Sequence, residues 1–131
     1  MNLKLNKLLA EISAGELVDK ITILEIKKKK IKDQEKLAEV DKELISLNNT
    51  FQKNISQNAD LKNMIKDQKE INLKLWDIED GKRLAEKNNT FGSEFIKLAR
   101  NVYKYNDERA KIKLKINKNL GSNIREVKSH F

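Results

Sequence analysis

Eleven residues of this chain could form a polar site: Glu16, Asp19, Lys20, Glu25, Trp76, Asp80, Arg83, Arg100, Tyr103, Asn106 and Arg109. The arginines are its most informative members. Lysine is the common cation of a chain rich in Lys, Asn and Ile, whereas only four arginines occur, at 83, 100, 109 and 125. A guanidinium presents a planar fork that matches a carboxylate or a phosphate, and an ammonium does not. Arg100 and Arg109 could therefore clamp an anionic group, with Trp76 or Tyr103 stacking on the rest of a ligand. The competing reading is an ion-pair network that fixes helix register, with Trp76 as a core anchor. On the residue types alone the network is the stronger reading.

Other chemistry has less support. Glu16 with Asp19, and Asp77 with Asp80, set carboxylates three residues apart, as oxygen ligands for Mg²⁺ can be. The pairs lie too far apart in sequence to match the paired acidic helices of all-α nucleotide pyrophosphatases, and no metal site is expected. His130 is the sole histidine, one residue from the end, which argues against a histidine base or a histidine metal site. Nucleophile motifs, phosphate loops and dinucleotide fingerprints are absent, and no cofactor is expected. The run Lys27, Lys28, Lys29, Lys30, with Lys32 after it, spans one helical turn, so at most two of the four share a face. It lacks the arginine or aromatic backing of a nucleic-acid helix. A solvated face is the expectation, and nucleic acid is disfavoured as a partner.

The elements that must position these residues are helical. The chain has 131 residues, 37% of them charged and 5% aromatic, which is the profile of long helices rather than of a compact sheet domain. It contains no cysteine and no proline. No apolar run is long enough for a signal peptide or a membrane span, so an intracellular, cytoplasmic protein without a membrane partner is expected. Ser13 and Glu16 form a capping-box pattern that opens a first helix over about 14–49. Its residues Ile23, Ile26, Leu37, Val40, Leu44, Leu47 and Phe51 follow one 3-4 register, interrupted at Lys30 and Asp33. Leu17, Ile21, Leu24 and Ile31 form an adjacent stripe, so this helix faces two neighbours.

Asn48, Asn49, Thr50 and NISQNAD read as a polar loop. A second helix is expected over about 59–88, on Leu61, Met64, Ile65, Ile71, Leu75 and Ile78. A third, over about 93–119, is capped by Thr90 or Gly92 and closed at Gly121. The opening NLKLNKLLAEI fits a short strand or a helical turn. The expected architecture is a single all-α domain, an elongated up-down-up three-helix bundle with coiled-coil-like helices. Dimerisation along its first helix is left open.

In that bundle the first and third helices run parallel. Asp33, Glu35, Glu39, Asp41 and Glu43 then lie level with Arg109, Lys111, Lys113 and Lys115. Glu16, Asp19, Lys20 and Glu25 share a level with Glu79, Asp80 and Arg83, and Arg100, Tyr103 and Asn106 join them.

The blocks GELVDKITILEIK, LWDIED with Arg83 after it, FIKLAR-VY, ND-RA-IK and IN-GS resemble the signature of a bacterial domain-of-unknown-function family. The likeness covers Ser13 to Lys128. It departs at Lys82, where the family has an apolar residue, and at REVKSHF, a looser version of an EEKSY block. The resemblance implies no established activity. It implies a setting near glycosyltransferases and cell-surface sugar metabolism.

Together these readings favour a non-catalytic binding or protein-interaction module. Its expected partner is a second copy, another protein or a small anionic ligand. The alternatives are a small all-α enzyme acting on a phosphorylated or carboxylated metabolite, sugar nucleotides included, and a weak nucleic-acid binder.

Overall fold

A computed structural model describes residues 3–129; His130 lies outside them. Four α-helices run in order, where three were expected: α1 Ala14–Lys30, α2 Gln34–Asn54, α3 Ala59–Asn88 and α4 Ser93–Leu120. The expected first helix over 14–49 is in fact a helical hairpin, broken at residues 31–33. Ile31 turns to extended backbone (ψ 137°) while its N–H still reaches Lys27 O. Asp33 then caps α2, its carboxylate accepting from the N–H groups of Glu35 and Lys36. An aspartate at this position satisfies amides that a continuous helix would bond to its own carbonyls. The four lysines fill the last turn of α1, where a cation is stabilised by the helix dipole.

The polar stretch Asn48–Asn49–Thr50 is helical, not loop: α2 runs on to Asn54. Buried Phe51 anchors its last turn, Thr50 Oγ1 donates back to Ser46 O, and Asn54 Nδ2 donates to Thr50 O. Asn58 caps α3 through Leu61 N–H. Gly92 precedes α4 without a side-chain bond. Gly121 ends α4 at φ +62°, in the left-handed region that glycine enters without steric cost.

The extra turn changes the direction of everything after it. α1 and α3 run parallel, and α2 and α4 run opposite to them, as the contacts of Asp19 with Gln68 and Arg109, and of Gly15 with Asn117, require. The up-down-up arrangement, and the levels derived from it, therefore fail. Arg109 and Lys113 lie beside the first turns of α1, not beside residues 33–43.

α1 is the central element, packed against α2, α3 and α4, while α3 and α4 pair with each other. Leu17, Val18, Ile21 and Leu24 of α1 share a core with Val40, Leu44 and Phe51 of α2, Leu61 of α3 and Ile116 of α4. At a rise of about 1.5 Å per residue α3 is about 45 Å long and α1 about 26 Å. The far parts of α3 and α4 therefore project beyond α1 as a two-helix arm. Gly81 meets Leu98 across it, and Phe91 stands edge-on to Phe95 at its tip. The opposite end, where α1 and α3 begin and α2 and α4 finish, is the base. No helix among the described residues is long and apolar enough to cross a membrane.

Candidate functional site

At the base, one carboxylate organises three helices. Asp19 projects from α1 between α3 and α4 and is 1% exposed. Its Oδ1 accepts from Arg109 Nε and Asn72 Nδ2, both at 2.9 Å, and from Gln68 Nε2; its Oδ2 accepts from Arg109 Nη2. Asn72 Nδ2 also donates to Thr22 Oγ1 at 2.9 Å, and that hydroxyl donates to Asp19 O at 2.8 Å. A buried charge is tolerated only when it is paired and hydrogen-bonded in this way. Burial alone would push the Asp19 carboxyl up. The hydrogen bonds from Arg109 and Asn72, the Arg109 charge and the Gln68 bond together hold it below the usual carboxylate range. The bond to Asp19 correspondingly raises Arg109 against its partial burial.

A second layer seals the start of α1. Of the N–H groups that no intrahelical carbonyl can serve, those of Ala14, Gly15 and Glu16 are all taken by side-chain oxygens. Ala14 N–H goes to Ser122 Oγ at 3.0 Å, Gly15 N–H to Asn117 Oδ1 at 2.6 Å and Glu16 N–H to Ser13 Oγ at 3.1 Å. Leu17 N–H then opens the ordinary helical ladder on Ser13 O. Gly15 is required here by contact rather than by dihedral angle. A Cβ at this position would stand 2.5 Å from Lys113 O. Ser13 thus fills the cap expected of it, but Glu16 does not complete the box, because its carboxylate accepts from Lys113 Nζ at 2.5 Å.

Beyond this layer the chain after α4 folds back along the helix. Glu126 accepts from Ser13 Oγ at 2.8 Å and from Lys113 Nζ at 3.0 Å, and Lys128 pairs with Asp107 at 3.0 Å. Between tail and helix lies a cleft of about 650 Å³. Asn106, Arg109, Lys111, Lys113 and Asn117 line it on one side, Glu126 and Lys128 on the other. Burial opposes the charge on Lys113, but its bonds to Glu16 and Glu126 outweigh that and raise it. Burial likewise pushes Glu126 up, and the bonds from Lys113 and Ser13 bring it below the usual range.

A family model matches residues 8–131. The chain belongs to a family of unknown function, DUF6165. No curated protein and no solved structure matches it.

In this DUF6165 chain the eleven candidate residues do not form one group. Glu16, Asp19, Asn106 and Arg109 come together, with Arg109 Nη1 donating to Asn106 Oδ1 at 3.4 Å. Lys20 stands at the rim, 3.9 Å from Glu16. Glu25 lies farther along α1, 3.4 Å from Lys69 of α3. The other five are separated from them by the directions of α3 and α4. Trp76 is half-buried on α3, while Asp80, Arg83, Arg100 and Tyr103 are exposed toward the arm. Arg83 keeps only a 4.0 Å approach to Glu79 of its own helix. Among the described residues no group of three or more His, Cys, Asp or Glu converges to hold a metal ion.

The reading from residue types passed over Thr22, Gln68, Asn72, Lys113, Asn117, Ser122 and Glu126. For three of them a signal exists. Gln68 and Asn72 occupy the apolar register of α3 between Ile65 and Leu75, and Asn117 follows buried Ile116. A polar residue inside an apolar stripe is carried into the core and needs a buried partner there. Lys113 and Glu126 carry no such mark among many exposed charges.

Proposed function

We propose that this chain is a binding module, and that the cleft between α4 and the tail receives a small anionic ligand, a carboxylate or a phosphate. The observation that carries this reading is the cleft itself, with Asn106, Arg109, Lys111 and Lys113 along one wall. Each shifted group of the network, Asp19, Arg109, Lys113 and Glu126, is driven deeper into its charged form. General acid–base catalysis at neutral pH calls for the opposite shift, toward the working pH. Fixed charge beside a cleft instead suits electrostatic recognition. Asp19 acts from behind as the brace that holds Arg109. At the opening Lys113 is held by Glu16 and Glu126 and Lys128 by Asp107, while Lys111 makes no ion pair among the described residues and offers its charge to a ligand.

The test is a thermal-shift titration with inorganic phosphate, simple carboxylates and sugar nucleotides against chloride of equal ionic strength. A ligand bound by the folded state alone raises the melting temperature in a saturable way. The expected result is such a rise in the wild type and a weaker one in Lys111→Ala, a variant of an exposed residue. If no anion outperforms chloride, or if Lys111→Ala responds like the wild type, the reading fails.

A further inference from the structure

Ahead of α1, residues 3–12 form neither helix nor strand, and their large side chains touch little. Leu5, Leu8 and Leu9 are 80%, 84% and 90% exposed, and Ile12 is 41% exposed. Single exposed leucines need no explanation, but a contiguous set does. Their spacing is i, i+3, i+4, i+7, the pattern of one helical face. Wound as a helix, Leu5, Leu8, Leu9 and Ile12 fall within about 100° of arc at about 100° per residue, with Lys4, Lys7 and Glu11 outside it. Leu3 lies off this stripe. So short a segment does not hold a helix by itself in water, and its partner must supply the driving force.

The second observation is where the positive charge sits. Lys53 at the end of α2, Lys62 and Lys66 at the start of α3, Lys115 and Lys118 late in α4, and Arg125 of the tail are all exposed at the base. This is the end from which residues 3–12 emerge. Three acidic groups there are engaged, Glu11 by Asn123, Glu16 by Lys113, and Glu126 by Ser13 and Lys113, and Asp60 and Asp67 stand exposed among the more numerous cations. The arm carries both signs, with Glu79, Asp80, Glu86 and Glu94 among Lys82, Arg83, Lys87 and Lys97.

We infer that residues 3–12 are an amphipathic anchor that folds as a helix in the plane of an anionic lipid surface, with the basic base of the bundle facing the same surface. Lipid attachment of modest strength needs both an apolar insertion and a basic patch, and here the two occur at one end. Lys4 and Lys7 flank the stripe, where long side chains can reach the headgroups. The segment holds no arginine or aromatic residue on which nucleic-acid bases could stack. Aliphatic side chains without such platforms suit acyl chains instead. The helices could not serve this purpose through their main apolar stripes, since the core consumes those of α1 and α2. This inference does not depend on the ligand cleft.

The experiment is sedimentation of the full chain with vesicles of phosphatidylcholine alone or mixed equally with phosphatidylglycerol, with circular dichroism on the same samples. The wild type should bind the anionic vesicles, gain helix and release at high salt. Leu8→Glu combined with Leu9→Glu should lower that binding by about tenfold or more without moving the melting temperature, because neither side chain enters the core. Lys4→Glu with Lys7→Glu should weaken it too. Equal binding to both vesicle types, or undiminished binding by the Leu8→Glu, Leu9→Glu variant, overturns the inference. So does a chain that ignores lipid and binds duplex DNA.

Discussion

At the base Arg109 reaches across from α4 to a buried aspartate, while about two and a half turns away on the same helix Arg100 stands in solvent. The two arginines were equal candidates for one clamp. What separates them is the number of helices around each. Near Arg109 three helices converge, and Asp19, Gln68 and Asn72 close over it from two of them. Arg100 lies toward the arm, where α3 and α4 have only each other. Charge becomes structural where a third helix excludes water, and remains a surface feature where none does.

The sharpest way to break this comparison is to remove each guanidinium in turn. Arg109→Ala leaves Asp19 buried with neutral partners only, a loss of about 3–5 kcal/mol for a broken buried pair. Thermal melting should fall by roughly 10 °C or more. Arg100→Ala should stay within about 0.5 kcal/mol of wild type, as exposed substitutions do. A large effect at Arg100, or a small one at Arg109, would erase the distinction between the two regions.

Acid titrates the same contrast. Asp19 and Glu126 have folded-state values below their ordinary ones. Their contribution is therefore complete above the unfolded carboxylate range, about pH 4, and is lost as pH falls through the lower folded values. The cationic partners Arg109 and Lys113 are raised, so their contribution persists through neutral pH and is lost only as pH rises through those raised values. Melting temperature should thus hold from pH 5 to 8 and drop below about pH 4. Asp19→Asn should flatten the acid limb at a lower overall stability. An acid limb of unchanged steepness in that variant would assign the dependence elsewhere.

Much of the helical content was legible because its signals are local. The Ser13 cap, the left-handed Gly121 and the two apolar stripes of α1 can each be read within a few residues. The break at residues 31–33 was harder, since it uses neither glycine nor proline. Its signal is a basic last turn followed by Asp33 as cap and Glu35 in the next first turn, which resembles an ordinary charged helix face. That single miss had a global cost. One additional reversal inverts α4 relative to α1, and so Arg109 and Lys113 take the place beside Glu16 and Asp19 that had been assigned to Arg100 and Tyr103. The eleven-residue grouping came apart through chain direction, which leaves Glu16, Asp19, Asn106 and Arg109 together at the base. Gln68, Asn72 and Asn117 were readable in principle as polar interruptions of apolar stripes. Nothing local distinguishes Lys113 and Glu126 from their exposed neighbours.

Two glycines extend the comparison from charge to packing, with the smallest expected effects. At Gly15 an added Cβ would meet the Lys113 carbonyl oxygen at 2.5 Å and Asn117 Oδ1 at 2.9 Å. The carbonyl belongs to a helix backbone and cannot step aside, so Gly15→Ala must push α1 away from α4 and disturb the Gly15–Asn117 bond. A loss of about 1–3 kcal/mol is expected, as for other overpacked sites. At Gly81 the added Cβ would meet Leu98 Cδ1 at 3.0 Å, the end of a leucine side chain that can rotate in a two-helix arm. Replacing glycine inside a helix also contributes about 0.8–1 kcal/mol of propensity. Strain and propensity then nearly cancel, and Gly81→Ala should lie within about 0.5 kcal/mol of wild type. Urea midpoints at unchanged slope would measure both variants. Equal losses at the two positions would mean that the arm is packed as rigidly as the base, and that its exposure reflects only the lack of a third helix.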